Sequence, residues 1–140
     1  MELACITQSR TLMENNMLHN AVIWFEIIVQ DMSRAKAFYE SVFQVKLERL
    51  NTDNFEMWSF PTAMDRMGVG GALVKMDGAA SGGNNSTRVY FTCADCAVEA
   101  ALVTQHGGQL YREKMSIGEY GFIALALDTE GNMIGLHSLQ

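Results

Sequence analysis

The strongest constraint on the fold is the order of secondary-structure signals: a strand, a helix and three strands, given twice in succession. Residues 21–30 (AVIWFEIIVQ) are rich in β-branched and aromatic side chains, which is typical of a strand. Asp31 then provides a helix N-cap, and apolar residues follow it at helical spacing. Three further strands are predicted at residues 46–50, 55–60 and 69–76.

The same order begins again after residues 77–86 (DGAASGGNNS), whose composition is typical of a linker. Asp95 is the N-cap of the second predicted helix and lies 64 positions after Asp31. The strands of this second unit are predicted at residues 88–94, 110–115, 120–127 and 133–139. Each unit alone would expose one apolar sheet face. The two units are therefore expected to pack together in one α+β fold.

The chain has 140 residues, enough for one hydrophobic core. We expect a single domain over residues 20–140, with modules at 20–76 and 87–139 joined by the linker 77–86. Residues 1–19 show no sustained periodicity, which predicts an N-terminal arm that is poorly ordered or forms a short helix.

Charge and hydropathy exclude several classes of partner. The formal net charge is −6, and an acidic surface repels phosphate, so we expect no binding to nucleic acid. No stretch approaches 18 uncharged apolar residues, so no membrane span is predicted. Residues 1–17 carry charges and lack the apolar core of a signal peptide, which predicts a cytoplasmic protein.

Two segments resemble the superfamily of glyoxalases, bleomycin-resistance proteins and extradiol dioxygenases, also called the vicinal oxygen chelate superfamily. Residues 31–43 (DMSRAKAFYESVF) resemble its first helix, and residues 128–138 (DTEGNMIGLHS) resemble its last turn and strand. The resemblance covers about residues 20–140. It implies two βαβββ modules in a curved, eight-stranded glyoxalase-like fold around a funnel-shaped cavity.

The resemblance also implies four metal-ligand positions, on the first and last strands of each module. In this sequence they hold Trp24, Gly71, Arg88 and Gly135. None of these side chains ligates a divalent cation. We therefore expect no metal and no other cofactor, as in the metal-poor glyoxalase-like members. This argues against the metal-dependent lyase and dioxygenase reactions of the superfamily.

Strand alternation, in the register that the resemblance implies, directs a small set of side chains into the cavity. Glu26 is the most informative of them, because a carboxylate in an apolar strand needs a partner, a proton or water. We expect it to pair with Arg88, either as a structural ion pair or as part of a ligand site. Gly71 would leave room beside them. The set consists of Trp24, Glu26, Arg88, Tyr90 and His137.

Two kinds of role remain open for these residues. Glu26 and His137 are the candidate catalytic residues, although His137 could also be a core or rim histidine. A displaced metal site on these two is a further hypothesis, without a third ligand. Trp24, Arg88 and Tyr90 are the candidate ligand-binding residues, although the two aromatic side chains could serve only as core.

Two features outside the cavity are interpreted as structural. Gln44 follows the first predicted helix where the superfamily usually has glycine, so we expect that turn to avoid the left-handed conformation. Cys93 and Cys96 match the CxxC spacing of redox proteins. Because Cys93 is predicted to point under the second helix, a packing role is favoured over a redox role.

These observations leave three functions open. The cavity could hold a small, partly aromatic organic molecule without transforming it. It could instead be the site of a lyase or isomerase that acts on a small carbonyl or vicinal-oxygen substrate through Glu26. The third function is that of a structural or regulatory domain whose pocket is filled by the protein's own side chains. We expect a glyoxalase-like protein with a small-molecule cavity. A homodimer is also expected, because a curved two-module sheet leaves edges and apolar rims that proteins usually cover.

Overall fold

The computed structural model describes residues 20–63, 65 and 67–140, which form two helices packed on one eight-stranded sheet. The first module consists of β1 (Val22–Ile28), α1 (Met32–Phe43), β2 (Glu48–Leu50), β3 (Glu56–Ser59) and β4 (Gly70–Lys75). The second consists of β5 (Thr87–Thr92), α2 (Cys96–Gln105), β6 (Gln109–Ser116), a short 3₁₀ helix (Gly118–Tyr120), β7 (Phe122–Leu127) and β8 (Met133–Ser138). Each predicted strand forms, with ends that differ by at most two residues. The prediction for residues 1–19 lies outside the described residues.

The strand order is β2-β3-β4-β1-β5-β8-β7-β6, so the second module repeats the first in reverse across the centre of the sheet. β1 pairs in parallel with β4, and β5 pairs in parallel with β8. The two modules join through the antiparallel pair β1–β5. This arrangement confirms the predicted α+β fold of two βαβββ modules.

The two faces of the sheet differ in what covers them. α1 packs on a cluster that includes Val29 and Leu73, and α2 packs on a cluster that includes Ala124 and Leu136. On the opposite side, which we call the helix-free face, a third cluster contains Ile28, Met57, Ala72 and Val74. No helix in the described part of the chain is long and apolar enough to span a membrane.

The end of α1 differs from the expectation. Gln44 is in the left-handed conformation, with φ 52° and ψ 48°, so the prediction of another geometry is wrong. In this conformation the N–H groups of Gln44 and Val45 both donate to the carbonyl oxygen of Glu40. The need to satisfy this terminal carbonyl therefore outweighs the local strain at Gln44.

Gln44→Gly is expected to raise the free energy of unfolding by up to about 1 kcal/mol, because glycine relieves the left-handed strain. Gln44→Ala is the matched control: it removes the bond from Gln44 Nε2 to the carbonyl oxygen of Ser41 but keeps the strain. Urea denaturation of the two variants measures the difference. If the glycine variant is the less stable of the two, the strain argument fails.

Candidate functional site

Four of the predicted cavity residues meet where the two modules join. Across the β1–β5 pair, Trp24 lies opposite Tyr90 and Glu26 lies opposite Arg88. Trp24 and Arg88 are 64 residues apart, as are Glu26 and Tyr90, so the pseudo-twofold axis of the repeat passes between the two pairs. All four side chains belong to the helix-free face. We call this group the seam site.

Glu26 is the buried centre of the seam site, with 8% of its surface exposed. Its Oε2 accepts a hydrogen bond from the hydroxyl group of Tyr90 at 3.0 Å. Its Oε1 accepts one from Nε1 of Trp24 at 3.3 Å. Each carboxyl oxygen therefore has a donor, which is the condition under which a carboxyl group can be buried in a sheet.

The expected ion pair between Glu26 and Arg88 is not formed. No nitrogen of Arg88 lies within 4.0 Å of a Glu26 oxygen, and the salt bridge found within the described residues joins Lys114 to Asp95. Tyr90 and Trp24 bind both carboxyl oxygens instead. Nε of Arg88 is buried and has no hydrogen-bond partner among the described residues.

Burial controls the protonation of the seam site. Desolvation raises the pKa of Glu26 above its ordinary value of 4.5, and the hydrogen bonds from Tyr90 and Trp24 and the charge of Arg88 offset this only in part. The pKa of Tyr90 is also raised, first by burial and then by the Glu26 charge. Tyr90 is therefore a neutral hydroxyl donor at physiological pH, and Glu26 holds its proton to a higher pH than an exposed glutamate.

His137 lies away from the other four residues. It pairs with Thr92 on β5, four residues beyond Arg88, which is about 13 Å along the strand. Its Nε2 is 2.6 Å from the carbonyl oxygen of Tyr120, and it lines a separate open pocket of about 500 Å³. The structure does not bring Glu26 and His137 together, so the hypothesis of a shared metal site is wrong.

The glycines near the seam site lie on opposite faces of the sheet. Gly135 pairs with Tyr90 on the helix-free face, and a Cβ there would be 2.1 Å from the tyrosine ring. Gly71 pairs with Phe25 on the helix side, so the prediction that it opens the cavity is wrong. The predicted register of β4 against β1 was wrong by one residue, and a shift of one residue moves a side chain to the other face of the sheet. Ala72, which pairs with Glu26, is the equivalent of Gly135 in the first module.

The resemblance implied metal-ligand positions at Trp24, Gly71, Arg88 and Gly135, and the observed register moves the position on β4 from Gly71 to Ala72. None of these side chains offers a ligand atom for a divalent cation. Within the described ranges, no group of three or more His, Cys, Asp or Glu side chains is placed to hold a metal ion. The absence of a metal stays a prediction. The chemistry available at the seam site is that of a carboxyl group, a phenol, an indole and a guanidinium.

The CxxC cysteines have the environment of packing residues. Burial, and then the neighbouring Glu99 charge, raise the pKa of Cys93 to about 12. Cys96 is fully buried in the core beneath α2. A thiol with so high a pKa is a poor nucleophile, which supports the structural interpretation of this pair.

Sequence reasoning missed one hydrogen bond within the seam site and one pocket outside it. The first is the hydrogen bond between Tyr90 and Glu26, which lie diagonally across the β1–β5 pair and for which the sequence carried no signal. The second is an open pocket of about 350 Å³ where β1 ends and α1 begins, whose lining includes Gln30, Asp31 and Arg34. Nothing in the sequence pattern indicated this pocket.

No protein-family model and no curated protein matches this sequence. Solved structures do match, and the likeness shows that this chain shares their fold. A variant of the methylmalonyl-CoA epimerase of Streptomyces coelicolor, in complex with 2-nitronate-propionyl-CoA, is 16% identical, with a TM-score of 0.63, over 85% of this chain and 96% of that chain. The epimerase of Mycobacterium tuberculosis is 14% identical, with a TM-score of 0.62, over 86% and 88% of the two chains. A hypothetical protein from Bacillus halodurans is 10% identical, with a TM-score of 0.64, over 85% and 94%.

Proposed function

We propose that this protein binds a small organic molecule on the helix-free face of its sheet, at the seam site. The observation that carries the proposal is the buried carboxyl group of Glu26, held by Tyr90 and Trp24 in the centre of the sheet and beside an apolar cluster. Desolvation of such a group costs stability, so a fold that only needed a core would place an apolar side chain there. Buried polar groups with shifted pKa values are typical of ligand sites.

The surroundings of Glu26 support the same proposal. Trp24 and Arg88 are half-buried, so both reach the protein surface beside the carboxyl group. Trp24 also packs against the apolar cluster of Ile28 and Met57. A ligand lying on Trp24 and Arg88 would thus contact an aromatic ring, a cation and an apolar wall, the usual composition of a small-molecule site.

The similar structures support a small-molecule site by analogy of fold. Two of them are methylmalonyl-CoA epimerases, and one of these is bound to 2-nitronate-propionyl-CoA. A shared fold does not transfer a substrate, because function depends on the site residues. The homodimer expected from the sequence stays a prediction.

A second candidate function is an isomerase-type enzyme in which Glu26 removes a proton next to a carbonyl group. The raised pKa of Glu26 favours it, because a general base is most effective when its pKa approaches the working pH. Tyr90, a neutral donor, would hold the carboxylate that forms when Glu26 gives up its own proton.

Trp24 provides a direct test of binding. The chain has two tryptophans, so Trp58→Phe leaves Trp24 as the single indole reporter. We expect at least one class in a panel of small carbonyl compounds, aromatic compounds and organic acids to change Trp24 fluorescence saturably. The change should be lost in Trp58→Phe/Tyr90→Ala. If no class changes the fluorescence, the seam site has only a structural role and the binding proposal fails.

The two candidate functions are separated by proton exchange. A compound that binds is incubated with the protein in D₂O, and NMR follows the hydrogen next to its carbonyl group. Exchange that Glu26→Gln abolishes while binding persists identifies the enzyme. Binding without exchange above the protein-free rate identifies a binding module.

A further inference from the structure

Arg88 is the one member of the seam site with an unfilled bonding capacity. Its side chain is half-buried, and its Nε is buried without a hydrogen-bond partner in the described chain. Nearly all buried donors in folded proteins have a partner, either in the protein or in an ordered water molecule. A guanidinium presents five N–H donors in a planar fork and accepts none, so only an acceptor can complete its bonding.

Glu26 does not supply that acceptor, although it lies directly opposite Arg88. Its two oxygens already accept from the hydroxyl group of Tyr90 and from Nε1 of Trp24. The hydroxyl proton of Tyr90 is used in the same bond, so Tyr90 is a donor toward Glu26. The guanidinium of Arg88 lies near enough to the Tyr90 hydroxyl group to lower the pKa of Tyr90, but its Nε has no acceptor in Tyr90, Glu26 or Trp24.

The geometry points to Arg88 as the residue that binds the carboxylate group of the ligand, so the ligand class is small organic carboxylates. This inference rests on the proposed function. A carboxylate matches the guanidinium fork with two parallel hydrogen bonds, which makes such pairs both strong and directional. It would also neutralise the Arg88 charge, which forms no salt bridge with a carboxylate of the described residues.

The hydrocarbon part of such a ligand has a defined neighbour. Trp24 lies on the same face of the sheet as Arg88, in the neighbouring residue pair on that face of the β1–β5 ladder. It packs against the apolar cluster of Ile28 and Met57. A phosphate could also bind a guanidinium, but Arg88 is the single basic residue among the four seam residues. One planar cation beside an apolar wall fits a monocarboxylate better than a multiply charged phosphate.

The test uses the native protein and matched pairs of probes. Propionate is compared with propionamide, and benzoate with benzamide, so each pair differs in charge but hardly in shape. Binding is followed by the NMR resonance of the Arg88 Nε–H group. We expect the carboxylates to shift this resonance saturably and to bind about tenfold more tightly than the amides, as charge-assisted hydrogen bonds allow.

Two variants assign the preference to one side chain. Arg88→Gln should remove the tenfold preference for carboxylates. Arg112→Gln is the matched control. Arg112 is an exposed arginine on β6, three strands away from β5, and its guanidinium contacts the sulfur of Met115. This control lowers the net charge by the same amount and should keep the preference.

The possible failures are distinct. If the amides bind as tightly as the carboxylates, or if Arg88→Gln keeps the preference, the assignment of Arg88 is overturned and the binding site itself stands. Tighter binding of inorganic phosphate than of either carboxylate overturns the ligand class. If the probes leave the Arg88 resonance unchanged and the Trp24 fluorescence panel is also negative, the proposed function fails together with the inference.

Discussion

Gly135→Ala is expected to lower the free energy of unfolding by about 3 kcal/mol, at the upper end of the range for overpacked cores. The added Cβ would lie 2.1 Å from Cδ1 and 2.3 Å from Cε1 of Tyr90. The ring has little freedom to move aside, because Tyr90 is 5% exposed and its hydroxyl group is bonded to Glu26. Either the ring or strand β8 must shift, and both shifts disturb the seam.

The cause of this effect is tested in a second background. Tyr90→Ala removes the ring that the new Cβ would meet, so adding Gly135→Ala to that variant should cost little further stability. Urea denaturation of the four proteins in this cycle gives the coupling between the two positions. An equal cost of the alanine in both backgrounds would mean that the clash lies elsewhere than in the Tyr90 ring.

The same substitution should also affect the site. A displaced Tyr90 ring carries its hydroxyl group away from Oε2 of Glu26, so that a buried carboxyl oxygen loses its donor. Ligand binding, measured by Trp24 fluorescence, is therefore expected to weaken in Gly135→Ala even under conditions where the variant remains folded. The glycine thus links the packing of the sheet to the geometry of the seam site.

The fold could be predicted because its signals are local and repeated. Asp31 and Asp95 both accept hydrogen bonds from backbone N–H groups in the first turn of their helices, as their N-cap patterns predicted. Strand ends were less accurate, since they depend on pairing with distant strands. Residues 118–120, for example, precede β7 as a 3₁₀ turn instead of extending it.

Four of the five residues expected in the cavity lie together across the β1–β5 pair, but their bonding could not be predicted. Strand alternation is a local property, and it placed Trp24, Glu26, Arg88 and Tyr90 on one face correctly. The choice of Tyr90 over Arg88 as the partner of Glu26 depends on side-chain positions within the packed sheet, which no spacing in the sequence encodes. The error at Gly71 has a similar origin, because the repeat offset alone does not fix the register of β4 against β1.

Glu26 and Tyr90 are expected to be the most strongly coupled pair of the seam site. Tyr90→Phe removes the donor to Oε2, and we expect it to cost about 1.5–3 kcal/mol in the native background, as for hydrogen bonds to charged groups. In a Glu26→Leu background the same change should be nearly neutral, because the hydroxyl group has already lost its acceptor. The corresponding cycle between Glu26→Leu and Arg88→Met should give a smaller coupling, since no nitrogen of Arg88 lies within 4.0 Å of Glu26.

This network should also give the protein a specific pH dependence. Burial raises the folded-state pKa of Glu26 above its ordinary value of 4.5, so ionisation is easier in the unfolded chain. The stability due to Glu26 is thus fully present below pH 4.5 and is lost as the pH rises through the folded-state pKa. Glu26→Gln cannot ionise, and its amide can bond to both Tyr90 and Trp24.

Denaturation across the acid to neutral range should therefore show the glutamine variant gaining stability relative to the native protein as the pH rises. Tyr90→Phe should extend the decline of the native profile to higher pH, because the Tyr90 bond lowers the pKa of Glu26. A constant difference between the native protein and Glu26→Gln at all pH values would place the folded-state pKa of Glu26 at its ordinary value. In that case the carboxyl group would be solvated rather than buried, and the seam site would lack the feature on which its proposed function depends.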